Sequence, residues 1–177
     1  MTKSPWHRLQ GHVGPRDFDR YPVGDEELGR QLFSAVCKAL LRGRPAPVAF
    51  VVYSDSIERF SLKPVADKPA NLQRRLLSAM AGQPDVECVA VLGAFRFRGR
   101  GAMNGQLVAS VFVEWPDNRW WTAWQPIGPN RSLIGAAPQI RTAMDGSPRP
   151  GGVGGWFALS RRLGLRLKVH RDPSPVH

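Results

Sequence analysis

From Asp25 onward apolar residues recur every fourth position, at Leu28, Leu32, Val36 and Leu40, with Phe33 and Leu41 widening the stripe. That spacing predicts an amphipathic helix buried along one side. Asp25, Glu26 and Glu27 place negative charge at the positive end of its dipole, and Gly43 followed by Pro45 stops it. The period then changes. Val48 to Tyr53 is a continuous β-branched and aromatic run, as in a strand covered on both faces. Ile57 to Leu62 returns beside it after the polar turn Ser54-Asp55-Ser56. A second helix is expected from about Pro69 to Ala81, with Leu72, Leu76, Leu77 and Met80 on one face, Arg74 and Arg75 turned away, and Gly82 past its end.

Three strands follow in succession: Val86 to Arg98, Gln106 to Trp115, and Trp120 to Ile127. The loop 99–105 joins the first two, and the turn Pro116-Asp117-Asn118-Arg119 joins the last two. The order α-β-β-α-β-β-β predicts a single α+β domain, an antiparallel sheet of about five strands with two helices packed on one side. This core spans residues 25–128. Residues 1–24, punctuated by Pro and Gly and carrying Trp6, Phe18 and Tyr21, read as an extended arm that lies against the body or a partner. Residues 129–177 read as a Pro/Gly-rich extension: a short helix from Trp156, then an edge strand in which Leu163, Leu165, Leu167 and Val169 alternate with Gly164, Arg166, Lys168 and His170.

Alternation assigns the two faces of the three-strand meander. With four residues in the second turn, Phe95, Phe97, Leu107, Ala109, Val111, Val113, Trp120, Thr122 and Trp124 share a core face. Arg96, Arg98, Ser110, Phe112, Glu114, Trp121 and Gln125 fall on the other. Guanidinium groups beside large aromatics suit single-stranded nucleic acid, because bases stack on rings while arginines meet phosphates. The competing expectation is that Arg96 pairs with Glu114 or Glu87, and that the C-terminal segment covers Phe112 and Trp121.

Composition changes the picture in one respect. The 177-residue chain carries 25 Lys and Arg, most of them Arg, against 14 Asp and Glu, a formal charge of +11. Such a permanently cationic surface favours anionic partners. Two further clusters join the meander as candidates: the loop residues Arg98 and Arg100, and the terminal strip that includes Arg161, Arg162, Arg166 and Lys168. Cys37 and Cys88 fall within helix and strand patterns and read as small buried apolar residues, which implies a reducing compartment and a cytoplasmic protein. No apolar run is long enough to span a bilayer, and Met1 to Val13 lacks the apolar core of a secretory signal.

Catalytic and cofactor signals are weak. Gly151 to Gly155 is followed by Trp156 and Phe157 rather than Lys and Ser, so it does not fit a phosphate-binding loop. His7, His12, His170 and His177 sit at the chain ends without ligand spacing, and no metal or other cofactor is expected. The sequence therefore predicts a non-enzymatic basic binding or accessory module, a subunit of a protein assembly whose partner is another protein or a further copy of the chain. Single-stranded nucleic-acid binding through the Arg/aromatic face is one alternative. A small enzyme acting on an anionic substrate, with Asp55, Glu58 or Glu114 as acid or base, is another.

Overall fold

The computed structural model describes residues 25–43, 45–53, 57–65, 68–97, 101–143 and 154–166. Along the chain these form α1 (Asp25–Arg42), β1 (Val48–Tyr53), β2 (Ile57–Ser61), α2 (Ala70–Ala81), β3 (Val86–Arg96), β4 (Leu107–Glu114), β5 (Trp120–Pro126), β6 (Gln139–Thr142) and α3 (Trp156–Leu163). The strands make one antiparallel sheet in the order β2-β1-β3-β4-β5-β6. The fold is α+β, as the pattern predicts, with a sixth strand where about five were expected.

The helices do not lie together on one side. Leu32, Phe33, Val36 and Leu40 of α1 pack on the face that carries Phe50, Ala90, Val111 and Trp121. Leu77, Met80 and Ala81 of α2, with Trp156 and Phe157 of α3, pack on the opposite face against Val51, Val89, Phe112 and Trp120. The sheet is thus the middle of three layers, which explains why Val48–Tyr53 is apolar at successive positions and buried throughout.

Placing apolar helix faces on both sides requires the meander to be apolar on both sides, and its observed register supplies this. Trp115 and Arg119 close the β4–β5 connection through an amide-to-carbonyl bond of 3.0 Å, leaving a three-residue loop with Asn118 at φ 68°. Trp120 therefore pairs with Glu114 and Trp121 with Val113. The expected four-residue turn is one residue out of register, and such a slip exchanges the faces of a whole strand. Trp121 joins Val111 and Val113 under α1, whereas Trp120 joins Phe112. The β3–β4 register corrects β3 in the same way: Phe95 pairs with Val108, not with the odd-numbered residues of β4.

The C-terminal extension contributes directly to the body. After β5, Ile127 bridges Leu133, and the buried Gln125 donates from Nε2 to the carbonyl of Gly135 at 2.8 Å, so the chain turns back into β6. An edge strand lies here, at Gln139–Thr142; where one was expected to begin, Leu163 ends α3, and Leu165 and Arg166 follow as irregular chain. Residues 167–170 lie outside the described residues, as do the N-terminal arm and the loop residues 98–100.

Candidate binding surface

Both aromatics proposed as a stacking platform are interior. Phe112 is 3% exposed and Trp121 is 2% exposed. Phe112 stacks at 6.1 Å on Trp120 and meets Trp156 edge-on at 5.1 Å, so the C-terminal helix α3 does cover it. Trp121 is covered by α1 instead, its indole lying so close to the backbone that a Cβ placed on Gly29 would sit 2.3 Å from the ring. Neither ring can stack on a base in this arrangement, which corrects the open-face expectation. At the far end of the α2/α3 face, Phe97 and Trp124 stay half-buried, with ring centroids 6.1 Å apart.

The charged candidates separate in the same way. Arg96 is exposed and donates from its guanidinium to the Gly105 carbonyl at 3.1 Å, bracing its own hairpin rather than pairing with Glu114 or Glu87. Arg98, Arg100, Lys168 and Asp55 lie outside the described residues. Glu58 accepts the Tyr53 hydroxyl at 3.1 Å.

Glu114 is fully buried, and its carboxylate accepts the amides of Gly155 at 2.6 Å and Phe157 at 3.3 Å. A carboxylate supplied by β4 thus caps the start of α3, satisfying amides that a helix leaves unpaired and offsetting the positive end of its dipole. The Gly-rich approach is built for this contact. Gly154 holds φ 79°, and a Cβ there would fall 2.5 Å from Phe112 and 2.8 Å from the Glu114 carboxylate. Glu114 is committed to the fold.

With the sheet covered, the outward side of the α2/α3 layer becomes the candidate surface. The buried stripes of both helices turn their remaining positions to solvent: Arg74 and Arg75 on α2, then Arg161 and Arg162 on α3, with Arg166 just beyond. Arg161 is partly occupied, donating to the Pro116 carbonyl at 3.0 Å and to Asn118 Oδ1 at 3.2 Å, which ties α3 to the β4–β5 turn. In that turn Asp117 pairs with Arg119 at 2.6 Å. Slight burial works against ionisation there, but the hydrogen bonds from Arg119 outweigh it and hold the Asp117 carboxyl below its usual range.

Two depressions mark this layer. A groove of about 430 Å³ runs between the end of α2 and the end of α3, lined by Gln83, Asp85, Phe157, Arg161, Leu165 and Arg166 among others. A cleft of about 130 Å³ lies between the helices, lined by Arg74 of α2 and by Gly155, Ala158, Leu159 and Arg162 at α3. Among the described residues no carboxylate lines this cleft, and no bond or ion pair engages either guanidinium.

The helical Arg pairs were visible in the sequence, Arg74 and Arg75 as residues off the apolar stripe and Arg161 and Arg162 as part of the terminal strip. What the sequence did not show is that α2 and α3 lie side by side and combine them. Among the described residues no helix is long and apolar enough to cross a membrane, and no group of His, Cys, Asp and Glu could hold a metal ion. No protein-family model, curated protein or solved structure matches the chain.

Proposed function

We propose that the protein is a non-enzymatic binding module that joins a protein assembly by presenting the arginine-bearing α2/α3 layer to an acidic partner. The observation that carries this reading is the cleft lined by Arg74, Gly155, Ala158, Leu159 and Arg162, in which no acid appears among the described residues, on helices that also expose Leu72 and Leu163. Arginine mixed with small and aliphatic side chains is a protein-interface composition, since Arg is enriched there and its planar fork suits carboxylates. A symmetric contact of this patch with the same patch of a second copy would bring like charges together, so the partner is a different surface.

The test is a hydrogen-exchange footprint taken at low salt with an excess of a Glu/Ala peptide. Added protection is expected along α2 and α3 and is expected to fade as salt rises. Protection spread evenly over the molecule, or none at all, contradicts the reading.

The half-buried Phe97–Trp124 pair favours one second reading, single-stranded nucleic acid, with these two rings in place of the buried Phe112 and Trp121. Under that reading Trp124→Ala lowers retention on a single-stranded oligonucleotide and leaves binding of the acidic peptide unchanged.

A further inference from the structure

We infer that the cleft between α2 and α3 is a seat for one carboxylate side chain of an acidic peptide segment, gripped by Arg74 and Arg162. The inference rests on the binding reading above and assigns its central contact. Three observations support it. The two arginines come from different helices and line one depression. The rest of its lining is Gly155, Ala158 and Leu159, without a polar side chain, which suits the methylene stem of Glu or Asp rather than a hydrated phosphate. Its volume of about 130 Å³ is well below the ~300–1,000 Å³ of a pocket for a drug-sized ligand, so it accommodates a side chain and not a whole metabolite.

The helix backbone fixes both flanks. Glu114 pins the start of α3 at Gly155 and Phe157, so Ala158 and Arg162 follow at defined positions one turn apart. α2 is anchored through Leu77, Met80 and Ala81, leaving Arg74 to reach over the cleft. The backbone thus fixes where the two arginines are rooted, while their exposed, unengaged forks turn toward an entering carboxylate, and each can offer two parallel N–H donors.

Ala158 gives a test that leaves charge untouched. It is exposed at mid-helix, and Leu is nearly as good a helix former as Ala, so Ala158→Leu fills the cleft without disturbing α3. Fluorescence anisotropy with a labelled Glu/Ala peptide at low salt is expected to show Ala158→Leu weakening binding by roughly tenfold, an amount comparable to Arg74→Ala or Arg162→Ala. Arg162→Lys, which keeps the charge and loses the fork, is expected to weaken it several-fold. Equal binding by wild type and Ala158→Leu overturns the seat while leaving the wider surface in place. Failure of the wild type to bind the peptide overturns the functional reading itself. A duplex oligonucleotide that binds more tightly than the peptide and is indifferent to Ala158→Leu replaces the carboxylate seat with a phosphate-tracking surface.

Discussion

At the scale of single residues, the contact between Trp121 and Gly29 is a tight constraint. In an ordinary helix Gly to Ala is stabilising by about 1 kcal/mol. Here the added methyl would meet the buried indole at 2.3 Å, so Gly29→Ala is expected to destabilise the protein by about 1–3 kcal/mol in urea unfolding. Trp121→Ala is expected to cost about 3–5 kcal/mol by emptying the α1 side of the sheet. The two changes touch, so their effects are not additive, and the double variant measures the coupling. Asp117 supplies a titration at the same scale. Burial, the largest single effect, opposes ionisation of its carboxyl, but the hydrogen bonds and charge of Arg119 together outweigh it and hold the group below the usual range. The pair's small contribution to stability is present above the ordinary carboxylate range and is lost as pH falls through the lowered value. An NMR titration is expected to show the Asp117 midpoint rising in Arg119→Ala; an unchanged midpoint removes the hydrogen-bond explanation.

Among the elements, α3 depends on a residue 41 positions before Gly155. Glu114→Ala leaves the buried amides of Gly155 and Phe157 without their acceptor, at about 1–3 kcal/mol for each. Faster amide exchange is expected first at Leu159 to Leu163, with Glu114→Gln milder because it keeps one acceptor oxygen. Uniform acceleration over all strands would instead mean that α3 is not a separately held unit. The helices and five of the strands were legible because each has a period of its own: Leu32, Val36 and Leu40 for α1, Val48 to Tyr53 for β1. β6 was not, since Gln-Ile-Arg-Thr offers Ile140 alone as an apolar residue and owes its pairing to β5. The faces of β3 and β5 were misread for a different reason. Periodicity identifies which residues alternate within a strand, but the register between strands is set by loop geometry, and Asn118 in the left-handed region shortens the β4–β5 loop by one residue. That single residue placed Trp121 under α1 and put Trp120 beside Phe112 under α3, while the helices on both sides of the sheet closed the apparent platform.

For the whole molecule, layering decides where function can lie. α1 covers one side of the sheet and α2 with α3 the other, so Phe112, Trp120 and Trp121 of the meander are used internally, whereas Arg96 stays exposed. The charge excess of +11 is carried in part on helical backs that face solvent. Arg content alone made a cationic surface legible in the sequence; its arrangement was not legible, because the juxtaposition of α2 and α3 spans residues 70–163 and depends on Glu114. A charged surface and a built site make different demands. Net charge predicts that any lost arginine matters equally, whereas a site predicts that position matters. The direct test compares Arg74→Glu/Arg162→Glu on the helical layer with Arg59→Glu/Arg141→Glu on the exposed edge strands β2 and β6, two variants of identical net charge. Binding of a Glu/Ala peptide at low salt is expected to fall by at least about tenfold, or about 1.4 kcal/mol, in the helical-layer variant and by far less in the edge-strand variant. Equal losses in both would contradict the account and leave only a diffuse cationic surface.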